Sequence, residues 1–322
     1  MTDNKQQRSI WLTGVIISGM LIAGYSSSVS LASPASLPLG DGRVTDVPAR
    51  HHVFSCAGER FESVAHRSGD WIAGGRYEPG KKPTVQGEIH WPSDIEISID
   101  PERNTREITT NNFPSHPTGE YPISRQDDVV RYQRNGSPVR LQDFSITLPL
   151  LPERSPNAHC LPAGPVGVML TGSLLFDPLD PLIRDTGAHD MTDACQGHPD
   201  ERGIYHYHQV SDCDPSSTSP HALTGYAADG FGLFNATTDN NDVLTNEDLD
   251  ECHGHEHDIP WDDDVIPLYH YHETPEFPYA LGCLRGPPQM NLDLPAVKRS
   301  SMKRTDRGFQ PRVSPDGRAM PR

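Results

Sequence analysis

The chain has 322 residues and a formal charge of −17 with histidine neutral. An acidic body repels phosphate backbones, which excludes nucleic acid as its partner. Only 34% of the residues are hydrophobic, and 31 prolines and 27 glycines interrupt the chain. That balance disfavours long helices and favours short strands joined by turns.

The N-terminus has the layout of an export signal. Lys5 and Arg8 precede an apolar run from Ile10 to Gly24, and Ser30-Leu31-Ala32 places small residues where a signal peptidase reads them. Residues 1–32 are expected to be a signal peptide. The run is shorter than the ~20 residues of a membrane span, so no span is expected after cleavage and the protein is expected in the periplasm or outside the cell. All six cysteines (Cys56, Cys160, Cys195, Cys213, Cys252 and Cys283) follow the expected cut. An even number in an exported chain predicts disulfides.

Residues 33–50 read as a flexible linker and 51–290 as a β-rich domain. Residues 291–322, with a cluster of basic residues among Pro and Gly, read as a disordered tail. Within the domain, Asp94 to Asp100 and Phe144 to Leu150 alternate apolar and polar residues, as half-buried strands require. Val166 to Phe176 is mostly apolar and reads as a buried strand pair or a bent strand. No segment holds a helical period with caps. The expected fold is all-β, a mostly antiparallel sandwich or distorted barrel.

The strongest signal is internal. Asp193-Ala194-Cys195-Gln196-Gly197-His198 is followed by Tyr205-His206-Tyr207-His208 and Cys213. Asp250-Glu251-Cys252-His253-Gly254-His255 is followed by Tyr269-His270-Tyr271-His272 and Cys283. Order and residue types match, and only the loop lengths differ. The pattern pairs Cys195 with Cys213 and Cys252 with Cys283, leaving Cys56 for Cys160.

Strand alternation places His206 and His208 on one face and Tyr205 and Tyr207 on the other, with the same split for His270 and His272 against Tyr269 and Tyr271. His198 and His255 are each expected to add a third imidazole from a tight turn eased by glycine. The six rings are expected to meet in one pocket. Asp193 and Asp250, with the four tyrosines, are expected to support the rings from behind. His116 and Asp229 are further candidate ligands. Neutral imidazoles in this number suit a transition metal ion, Zn or Cu above all. A metal-assisted hydrolase on the same cluster, and a non-catalytic binding module whose histidines are structural, are the alternatives. The sequence has no Gly-x-Ser-x-Gly, His-Glu-x-x-His or phosphate-loop motif.

These motifs resemble the YHYH family of exported proteins. Asn112 to Gly119 resembles its Asn-Gly-Ile-Pro-Asn-His-Pro-Thr-Gly segment, Gly167 to Gly172 its Gly-Val-Ala-Leu-Asn-Gly strand, Gly225 to Phe231 its Gly-Phe-Ala-Leu-Asp-Gly-Phe stretch, and Leu249 to Cys252 its Leu-Asp-Glu-Cys. The resemblance spans about 85–288 and implies an exported domain without an assigned activity. Here His253 stands where Asn is usual, and Gly232-Leu233-Phe234 stands for Pro-Ile-Tyr.

Overall fold

The computed structural model describes residues 35–56, 68–133, 137–209, 211, 213–214, 219–238 and 242–295. The expected signal peptide, and the expected tail from 296 onward, lie outside the described residues.

Five two-residue strands come first: β1 (Leu37–Pro38), β2 (Val44–Thr45), β3 (Val53–Phe54), β4 (Ile72–Ala73) and β5 (Arg76–Tyr77). β5 lies between β1 and β4, and β2 runs parallel to β3. These strands correct the linker expectation for 33–50. Leu37 is buried in the core, and the Gly40 amide donates to the Asp185 carboxylate at 2.9 Å. At the other end, Leu292 and Leu294 pack on the core, so the expected tail begins as packed chain.

A three-stranded antiparallel sheet follows, made of β6 (Ile95–Asp100), β7 (Thr105–Thr110) and β8 (Phe144–Pro149). β8 shows the expected alternation, with Phe144, Ile146 and Leu148 buried. β6 alternates without the burial, because Ile97 and Ile99, on the face they share with the core-packed Ile95, are left uncovered on the edge strand.

The main sheet has eight strands: β9 (Pro165–Met169), β10 (Leu174–Phe176), β11 (Gly197–Pro199), β12 (Tyr205–Tyr207), β13 (Leu223–Ala227), β14 (Gly232–Asn235), β15 (Gly254–Trp261) and β16 (Asp264–Glu273). Their spatial order is β11-β12-β10-β9-β13-β14-β16-β15. β9 and β10 are the expected pair between Val166 and Phe176, turning at Gly172 with φ +98°.

The order reads the same from both edges. β9 to β12 and β13 to β16 each form a hairpin, then a second hairpin whose inner strand runs parallel to the first. The centre is the antiparallel contact of β9 with β13. All-β architecture holds, and the two parallel pairs, β10 with β12 and β14 with β16, are the exception to the expected antiparallel pattern.

Each face of this sheet buries a different layer. Val168, Leu174, Phe176, Tyr226 and Phe234 meet Ile108, Phe144, Ile146 and Leu148 of the three-stranded sheet, which gives the sandwich. On the opposite face Leu175, Leu233, Ala227 and the four motif tyrosines join a second core with Leu37, Trp71, Phe113 and Tyr279. Three disulfides, Cys56–Cys160, Cys195–Cys213 and Cys252–Cys283, pin the loops, in the expected pairing.

Candidate metal centres

In each half the histidine strand lies beside a phenylalanine strand. Leu174 pairs with His206, so Phe176 and His206 share a face, and their rings stack at 3.9 Å. Phe234 pairs with His272 and stands 5.0 Å from the His270 ring. The imidazoles thus lie on the sandwich face, towards the two flanks of the main sheet.

The ligand atoms form two groups. His198, His206 and His208 converge in one, and His255, His257, His270 and His272 in the other, each with its nitrogens within 4.8 Å of one another. The expectation that all six motif rings share one pocket is overturned. β12 and β16 are separated by four intervening strands, which is roughly 24 Å across a sheet of ~4.8 Å spacing.

The hydrogen bonds fix which nitrogens point inward. His206 donates from Nδ1 to the Ile204 carbonyl at 2.9 Å, and His208 from Nδ1 to the Asp177 carbonyl at 2.5 Å. A carbonyl only accepts, so both Nδ1 atoms carry the proton. The two Nε2 atoms face each other at 3.1 Å. In neutral rings both are lone pairs. Burial holds His206 neutral, with its pKa lowered to about 4.

The second group repeats this commitment. His270 donates to the Leu268 carbonyl at 3.0 Å and His272 to the Asn235 carbonyl at 2.7 Å. His255 Nε2 lies 3.0 Å from His272 Nε2, and the Nε2 of His270 is buried with no hydrogen-bond partner. Burial lowers the pKa of His270 to about 3 and of His255 to about 4. At His206 and His208, where both Nδ1 protons are committed to carbonyls, the facing lone pairs repel unless a cation sits between them. For a tetrahedral ion with ~2.0–2.1 Å bonds, two ligand nitrogens are about 3.3 Å apart, close to both observed pairs.

Some expected ligands belong elsewhere. His116 sits on the tyrosine face, with Nε2 bonded to the Tyr207 hydroxyl at 2.6 Å and Nδ1 to the Pro117 carbonyl. Its other neighbours, the sulfurs of Cys195 and Cys213, are joined in a disulfide and are not thiolate ligands. Asp229 also lies on that face. It accepts from the Tyr271 hydroxyl at 2.6 Å and the Gly286 amide at 2.9 Å.

Asp193 and Asp250 do not touch the rings either. Asp193 Oδ1 accepts from the amides of Cys195 and Gly197 and from the Tyr205 hydroxyl. Asp250 Oδ1 accepts from the amides of Cys252 and Gly254 and from the Tyr269 hydroxyl. These carboxylates bind the Cys-x-Gly-His turn to the tyrosines, so the tyrosine face sets the turn that presents His198 and His255. The extra imidazole at His253 points away from the second group, to the Thr274 hydroxyl at 3.0 Å.

The glycine in that turn has another reason than the expected one. The positive φ falls on the residue before it, Gln196 at 66° and His253 at 80°. A Cβ on Gly197 would stand 2.3 Å from the Tyr205 ring, and one on Gly254 2.3 Å from the His270 carbonyl.

Sequence reasoning missed two residues. His257 is two positions beyond His255 on β15, so the alternation rule applied to Tyr-His-Tyr-His selects it equally. Asp190, whose carboxylate is 3.9 Å from His198 Nε2, follows the short helix α1 (Thr186–His189) and carries no motif.

No curated protein and no solved structure matches the chain. One family model matches residues 145–246, which hold the first histidine group and end before Cys252. That model is described as YHYH protein, and over this segment the chain is similar to the YHYH family.

Proposed function

We propose that this is an exported protein that binds two transition metal ions, one at each histidine group of a duplicated four-strand unit. His198, His206 and His208 hold the first, with Asp190 beside them, and His255, His257, His270 and His272 hold the second. The observation that carries the reading is the pair of Nε2 lone pairs of His206 and His208, 3.1 Å apart with both Nδ1 protons given to carbonyls. Imidazole donors of this kind suit Zn²⁺ or Cu²⁺. Such an ion is a Lewis acid and holds the imidazoles in place.

Three disulfides support an oxidising compartment. Among the described residues, no helix is long and apolar enough to cross a membrane.

Elemental analysis of the protein purified from an oxidising compartment, without chelator, tests the reading. Close to two equivalents of Zn or Cu are expected after loading and desalting. Metal that washes out entirely would leave the histidines as structure and refute it.

A further inference from the structure

The two groups differ in access. His198, His206 and His208 are 6%, 3% and 9% exposed, and Phe176 covers His206. In the second group His270 and His272 are fully buried, whereas His255 and His257 are half-buried on β15, the outermost strand.

Aligning the two motifs puts His257 opposite Asp200. That carboxylate is engaged by the Arg202 guanidinium at 2.8 Å and by the amides of Arg202 and Ile204. The first copy therefore closes with a tied turn where the second presents an imidazole to water. Beyond it stands a fifth ring, His221, with its centroid 5.6 Å from His257 and 6.1 Å from His272.

An ion leaves a site stepwise, as incoming ligands replace its own one at a time. That requires coordination positions that solutes reach. The second group offers two such rings on its outer side, and the first offers none without a local opening of the fold. We infer that the second histidine group is an exchange site, which gives up and takes up a divalent transition ion with small nitrogen and oxygen chelators in solution, while the first retains its ion. The inference rests on the two-ion reading above.

The test loads the full chain with Zn²⁺ and challenges it with excess of a chelating dye, 4-(2-pyridylazo)resorcinol, followed by absorbance. Two phases of one equivalent each are expected, the slow one lagging by on the order of 100-fold because it waits for local opening. The double variant His255→Ala/His257→Ala loses the fast phase and keeps the slow one, which also shows that its fold survives. His208→Ala loses the slow phase. Two equivalents leaving in a single phase, or a fast phase abolished by His208→Ala and spared by the double variant, overturns the exchange site alone. A chain that holds no zinc before the challenge overturns the two-ion reading and this inference with it.

Discussion

At the scale of single residues, the tyrosines and histidines of each motif have separate tasks on opposite faces of one strand. Tyr271 donates to Asp229 and accepts the Arg285 amide at 2.7 Å, with no contact to an imidazole of the second group. Tyr271→Phe leaves a buried carboxylate and a buried amide short of a partner, at a cost of about 1–3 kcal/mol in unfolding free energy. Denaturant titration is expected to show that loss with metal content unchanged. Imidazole burial sets a pH dependence. His206 and His255 are held to about 4 and His253 and His270 to about 3, against about 6.5 in an unfolded chain. Below about pH 6.5 the unfolded state gains protons that the folded state refuses until about pH 4, so stability falls as pH drops through that window. Asp229, raised to about 6, and Glu273, raised to about 8, act in the opposite sense, losing stability as pH rises. The histidines outnumber them. The melting temperature of the metal-free protein is expected to be lower at pH 4.5 than at pH 7, and the reverse order would refute this balance.

At the scale of elements, the tetrapeptide alternation was legible because a strand has a period of two, and it gave the ring pairs directly. The buried alternation of β8 was legible for the same reason. The pattern of Ile95, Ile97 and Ile99 on β6 was identical in form, yet an edge position left two of the three exposed. Periodicity reports which residues share a face and is silent on whether anything covers it. The disulfides tie this scale to the site. Cys195–Cys213 closes an 18-residue loop that contains His198, His206 and His208, and Cys252–Cys283 closes a 31-residue loop that contains all four histidines of the second group. A loop of the first size restrains the unfolded chain by about 3 kcal/mol. Cys195→Ser/Cys213→Ser is expected to cost stability of that order and to weaken retention of the first ion more than the second, read by metal content after desalting. Equal weakening at both groups would contradict the link. At the turn itself, Gly254→Ala drives a Cβ into the His270 carbonyl. Overpacking of that kind costs about 1–3 kcal/mol, and a correspondingly lower denaturation midpoint is expected.

At the scale of the whole molecule, two units meet back to back at β9 and β13 and carry their histidines to opposite flanks of the sheet. The expectation of one six-ring site failed here, because strand order is set by how chain segments cross over, and no local pattern in the sequence encodes it. The parallel pairing of β10 with β12 and of β14 with β16 fixes that order. On the proposed two-ion reading, sites this far apart are expected to bind independently. Each ion that binds only the folded chain stabilises it by about 2.7 kcal/mol at 100 times its dissociation constant. A first-site variant is therefore expected to lose about half of the metal-induced rise in melting temperature.

The most direct test is anomalous diffraction at the absorption edge of the loaded metal. The account predicts two peaks per chain, one among His198, His206 and His208 and one among His255, His257, His270 and His272. A single peak, or density on the tyrosine face beside His116 or Asp229 in place of the histidine groups, would contradict it.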